Sequence, residues 1–258
     1  MSQKWKATAL RMGELYVEKS SLTYQKDVGD YLWIPMWATA ITDGTHSILV
    51  DTGIHDLNWV EKNIGPCRQS EDEYLVEALN KGVGWSPDDV DIVINTHLHY
   101  DHCGNNRLFP NAKFVVQRRE WEAAHNPIPC QEPIYFNELF DTSAVNYFNW
   151  IFVDGEEEVV PGVKVFLTPG HSEGHQSVLV DTEEGILCVA GDVSNLIENI
   201  QENLPAGILT CTKEMYKGME DVRERAELIL PGHDLYIQKY QNSNFPAIKK
   251  SSVKKYDR

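Results

Sequence analysis

Asn95-Thr96-His97-Leu98-His99-Tyr100-Asp101-His102-Cys103-Gly104-Asn105-Asn106 places three of the chain's nine histidines, and an aspartate, close together. It follows Val90-Asp91-Ile92-Val93-Ile94, a short β-branched run with the character of a buried strand. A backbone extended from His97 to His99 puts both imidazoles on one face, because strand side chains repeat every two residues. Together they can hold one ion. Asp101 and His102 follow where a turn or helix start swings them past that ion, which offers donors to a second. Gly104 allows close backbone approach or an unusual dihedral.

Later strand ends present further polar groups. Thr168-Pro169-Gly170-His171, Gly191-Asp192 and Pro231-Gly232-His233 each follow a short apolar run. Seven donors then make two spheres: His97, His99 and His171 around one ion, Asp101, His102 and His233 around the other, with Asp192 bridging. Imidazole and carboxylate together suit zinc, and the same set accepts iron, manganese or cobalt, so the cofactor expected is a pair of divalent cations. A bridging water would lose its proton near neutral pH and act as nucleophile. Asp101 has two readings, ligand alone or ligand and proton shuttle. Asp51, at the end of Ile48-Leu49-Val50, either closes a turn or fixes the tautomer of a ligand imidazole. His175 is expected to tether backbone near the site, His46, His55 and His125 to be non-ligands, and Cys103 to be a small buried hydrophobe beside the cluster.

The rest of the chain bounds the class. At 258 residues, with 42% hydrophobic and 24% charged residues, it fits one domain spanning 1–258. Its 23 basic and 39 acidic side chains give 23 − 39 = −16, which argues against nucleic acid as a partner. No apolar stretch approaches a membrane span, and five cysteines without a paired motif fit a reduced, cytoplasmic protein. Residues 5–17 read as a strand, 38–42 and 46–50 as a hairpin around Asp43-Gly44. A helix is expected over 71–81 ending at Gly82, a short one capped by Ser86, a strand at 113–117, a helical piece at 119–125 and a helix over 212–228. Residues 126–154 read as irregular and rich in aromatics, so that about 119–154 forms an insertion or lid. Its aromatics, Tyr147 among them, pack the lid or face substrate. The segment Tyr31–Trp37 is either strand core or an apolar wall over the site, and its exposure would serve a dimer contact as readily, leaving monomer or homodimer open.

The motif His97-x-His99-x-Asp101-His102, followed in order by His171, Asp192 and His233, resembles that of the metallo-β-lactamase-fold superfamily. That resemblance implies an α/β fold of the αββα four-layer sandwich type, with a dinuclear site at the shared sheet edge. Asp51-Thr52-Gly53, the Tyr100-bearing form of the motif, and the aromatic insertion resemble the N-acyl-homoserine lactonases and pyridoxolactonase. Opening of a small lactone or related cyclic ester is then implied, with Asp101 returning a proton to the ring alkoxide. In homoserine lactonases a tyrosine shortly after the bridging aspartate is implicated in holding the carbonyl oxygen; Asn195 stands at the matching place here and is the second candidate catalytic residue. Thioester hydrolysis of the glyoxalase II kind, cyclic amide hydrolysis, and a metal-stabilised binding protein are the other readings.

Overall fold

The period-two alternation of the apolar strands builds three hydrophobic layers. In a computed structural model, which describes residues 4–141, 148–240 and 248–249, the strands form two sheets. The first has the order β4 (Cys67–Arg68), β1 (Lys6–Glu18), β2 (Tyr31–Thr42), β3 (Ser47–Val50), β5 (Ile92–Ile94), β6 (Lys113–Gln117) and β7 (Asn149–Val153). The second runs β13 (Ile248–Lys249), β12 (Leu228–Pro231), β11 (Gly185–Gly191), β10 (Gln176–Thr182), β9 (Val163–Leu167) and β8 (Glu157–Val160). β3, β5, β6 and β7 are parallel neighbours, as are β11 and β12.

Ile92, Ile94 and Val115 of the first sheet meet Val178, Val180, Leu187, Val189, Leu228 and Leu230 of the second in a central layer. The alternate residues face outwards. Val93, Phe114 and Val116 pack with Leu75, Ala78 and Leu79 of helix α2 (Leu75–Val83) and Val60 of α1 (Leu57–Asn63). On the far side Leu179, Cys188, Ala190 and Ile229 meet Ile200 of α5 (Ile197–Glu202) and Met215, Met219 and Val222 of α6 (Thr212–Arg225). Helix, sheet, sheet and helix are thus stacked, the expected αββα sandwich. Each fully buried Val or Ile in the central layer contributes about 1.5–3 kcal/mol, so a charge at Ile94 would split the sheets. Among the described residues no helix is long and apolar enough to cross a membrane.

Several boundaries differ from the sequence reading for local reasons. The acidic start of the 71–81 segment is a 3-10 turn, and α2 ends at Gly84, whose φ of 74° is left-handed; Gly82 instead lies inside the helix, packed on Leu10. The 212–228 helix stops at Arg225, because Leu228 is the first residue of β12. The region after Asn126 is not wholly irregular: Asn149–Val153 pairs with β6, and its aromatics Trp150 and Phe152 pack on the outer layer while Val153 enters the central one. Tyr147 lies outside the described residues. Pro35 sits within β2 opposite Glu14, next to a register shift in β1 where a missing ladder donor is tolerated. The Tyr31–Trp37 segment is divided: Met36 and Trp37 are strand core buried on opposite faces, while Leu32 and Ile34 line a cleft that also includes His233.

Candidate metal centre

The seven predicted donors all converge at one end of the two sheets. His97 and His99 follow β5, Asp101 and His102 lie on the single-turn helix α3 (Tyr100–Cys103), and His171, Asp192 and His233 follow β9, β11 and β12. All seven are buried. Three groups have donor atoms within 4.8 Å of one another: His97, His99 and His171; His97, His102 and Asp192; and Asp101, His102 and His233. Asp192 is central. One of its oxygens lies 3.4 Å from His102 Nε2, and the other is 3.4 Å from His171 Nε2 and 3.3 Å from His233 Nε2.

Each imidazole has one nitrogen occupied on its outer side, which fixes the ring. His97 Nδ1 is 3.0 Å from the Thr96 hydroxyl, which itself donates to Asp51. His99 Nε2 meets Gln131 Oε1 at 2.7 Å, and the same amide donates to the His171 carbonyl. His102 Nδ1 meets Asp51 at 2.8 Å, His171 Nδ1 the Ile208 carbonyl at 2.9 Å, and His233 Nδ1 the Pro35 carbonyl at 3.0 Å. The inner nitrogens are left with lone pairs facing a common space.

That arrangement fits cations. His97 Nε2, His102 Nε2 and Asp192 Oδ1 are buried without a hydrogen-bond partner, a costly state unless an ion completes them. His99 Nδ1 and His171 Nε2 approach to 3.1 Å, and two lone pairs at that distance repel unless positive charge lies between them. The charges already present respond accordingly. Burial favours the neutral His102 ring, yet Asp192, Asp101 and Asp51 overcome it and push its pKa up to about 10. Asp192, which burial alone would raise, is held well below the carboxylate range by His233, His102 and His171. Two metal-binding sites are present, built from imidazole and carboxylate alone.

The glycines around the donors are required by contact. A Cβ on Gly191, at φ 57°, would lie 2.7 Å from His175 Nε2 and 3.0 Å from Thr96 Cβ, and one on Gly232 would strike Asp192. Gly104 has ordinary helical φ, so close approach to the Gly53 carbonyl is its reason. His175 is the expected tether: its Nδ1 meets the Thr168 hydroxyl, and its Nε2 accepts the Asp192 N–H at 2.9 Å. Burial first, then His171, lowers its pKa to about 3, keeping the ring neutral as that acceptor role demands. Asp51 takes the tautomer-fixing role. Cys103 is buried in the outer layer, its thiol against the Leu98 and His99 carbonyls. His55 is exposed, while His46 stands beside Trp5 and His125 beside Trp121, and none of the three belongs to the donor groups.

This geometry matches a family. The model of the metallo-beta-lactamase superfamily matches residues 33–233. The chain belongs to that superfamily. Within it, the chain is 33% identical over 244 residues to an N-acyl homoserine lactonase of Bacillus cereus, covering 88% of this chain and 92% of that one. A Rhizobium radiobacter N-acyl homoserine lactonase is 30% identical over 212 residues, covering 75% and 76%. A solved N-acyl homoserine lactone hydrolase with N-hexanoyl-L-homoserine bound at its catalytic metal center superposes with a TM-score of 0.80 and 30% identity, over 96% of this chain and all of that one. The site also uses residues that the sequence reading did not single out: Glu120, Gln131 and the Pro35 and Ile208 carbonyls. Asp51 was the outer partner that the sequence reading anticipated, and Thr96, directly before His97, was not singled out.

Proposed function

We propose that the protein opens lactones, as a dinuclear zinc-dependent hydrolase of small cyclic esters. The observation that supports this reading is the seven-donor centre in a chain aligned over most of its length with N-acyl homoserine lactonases. Zinc is the proposed occupant, held by His97, His99 and His171 in one site and Asp101, His102 and His233 in the other, with Asp192 shared. When bound, the pair supplies Lewis acidity and an acidified water.

The chain's own groups do the rest. A cleft of about 770 Å3 that includes His233 in its lining has an apolar side, Leu32, Ile34, Leu196 and Leu235, and a polar side that includes Lys19, Glu198, Gln201 and Glu202, a mixed surface with room for a small lactone. Asp101 is the most open of the two carboxylates at the centre, with its side chain 11% exposed against 6% for Asp192. It is positioned to carry a proton to the leaving ring oxygen. Asn195 is buried between two donor-bearing turns, its carbonyl accepting the His233 N–H at 2.7 Å, and no described residue engages its amide. That amide is left to donate to the substrate carbonyl oxygen.

A panel of homoserine lactones, simple lactones, thioesters and cyclic amides, tested on protein of measured metal content, decides the matter. Lactone turnover is expected, and it is lost in Asp101→Asn even when that variant is reloaded to the wild-type metal content. Thioester turnover alone would move the reading to a glyoxalase II type, and full occupancy with no turnover at all would leave a binding protein.

A further inference from the structure

The strongest unused feature is a fully buried carboxylate. Glu120, on helix α4 (Arg118–His125), has no exposed surface and makes no ion pair among the described residues. Its Oε1 accepts the Leu98 N–H and the Tyr135 hydroxyl, both at 2.9 Å. Its Oε2 accepts the Ser172 hydroxyl at 2.6 Å and the Gly174 N–H at 3.0 Å. An ionised group this deep is costly unless its lone pairs are satisfied, and here four donors satisfy them.

Three of those donors belong to the two ligand-bearing loops, Leu98 to one and Ser172 and Gly174 to the other, and the fourth, Tyr135, comes from the insertion, where it bridges to His99. Leu98 lies between His97 and His99 on the first sheet's side; Ser172 follows His171 on the second's. A Cβ on Gly174 would overlap the Glu120 backbone, so that loop is pressed directly onto α4. Gln131, eleven residues further along the same insertion in a separate turn, completes the fastening through His99 and the His171 carbonyl. The other site is held by different means, His102 by Asp51 and His233 by Pro35.

We propose that Glu120 is a positioning residue that clamps the His97–His99 loop to the His171 loop, and so sets the affinity of that site separately from the Asp101–His102–His233 site. The inference rests on the metal centre and holds whatever the substrate. The insertion that carries Glu120 and Gln131 is thereby part of the site's frame.

Glu120→Gln is the informative change. Each carboxylate oxygen faces one hydroxyl, which can reverse, and one backbone N–H, which cannot. Whichever way the glutamine amide turns, its NH2 opposes a backbone donor.

The full chain is stripped of metal, reloaded with cadmium, and read by stepwise titration and cadmium NMR. The expected result is a loss of about tenfold in affinity at the nitrogen-rich His97–His99–His171 site, the scale for outer-partner changes, with the other resonance and affinity unchanged. Ser172→Ala, which trims a single hydroxyl, guards against failure of the first variant to fold and gives a smaller loss at the same site. Wild-type affinity at both sites, or equal loss at both, overturns the proposal.

Discussion

Asp51→Asn is the sharpest test of how the centre is held. The Asp51 carboxylate takes the Thr96 N–H at 2.7 Å on one oxygen, and the Thr96 hydroxyl and His102 Nδ1, each at 2.8 Å, on the other. The residue has φ 59°, a conformation asparagine shares more readily than most, so the backbone is undisturbed. With its oxygen kept on the Thr96 N–H, the new NH2 faces His102 Nδ1 and drives the ring to the tautomer protonated at Nε2, the atom that should meet the ion. With the amide reversed, NH2 opposes the Thr96 N–H. The first orientation costs the tautomer that the ion needs, and the second sets a donor against a donor. The Thr96 hydroxyl can accept from both sides, so His97 is buffered and the damage falls on His102. Loss of an outer partner weakens metal binding about 10–100-fold, or about 1.4–2.7 kcal/mol. The forced tautomer places this variant at the upper end. Competition titration against a chelator, with metal counted by elemental analysis, measures the second ion directly. Binding within twofold of wild type would refute the reasoning.

Other perturbations separate structure from chemistry. Gly191→Ala must push His175 and Thr96 aside at a positive φ, with an expected cost of about 1–3 kcal/mol; thermal melting and metal analysis should show lower stability and loss of both ions together. Asn195→Ala should retain both metals and lower kcat by about tenfold or more if its amide serves the substrate carbonyl, whereas unchanged turnover would remove it from the machinery. Chelation should lower Tm in calorimetry, because an ion at 100 times its Kd stabilises the fold by about 2.7 kcal/mol and that term vanishes with the metal; an unshifted melt would show that the lone pairs gathered around Asp192 do not depend on the ions.

The seven donors were legible because each depends on short-range pattern, and the sandwich was legible only through the family resemblance that those donors carry. A β-branched run followed by spaced histidines shows both where a strand ends and which face its side chains share. Glu120 was not legible: it reads as one more charged residue on an amphipathic helix, and only the approach of loops from two sheets shows that it is buried. Gln131 is equally plain in sequence, since its partners are 32 and 40 residues away. The Pro35 and Ile208 carbonyls carry no side-chain signature whatever. β7 was hidden by its own composition, as Trp150 and Phe152 in a proline-punctuated stretch resemble lid aromatics more than edge-strand residues.

His97, His99, Asp101 and His102 stand on the first sheet, and His171, Asp192 and His233 on the second. Neither half of the molecule can therefore assemble either ion's full set of donors by itself. Tight metal capture must come after the halves dock, which makes ion uptake a late event in folding and a reporter of its completion. During refolding, the ion signal should lag behind secondary structure and coincide with closure of the central apolar layer.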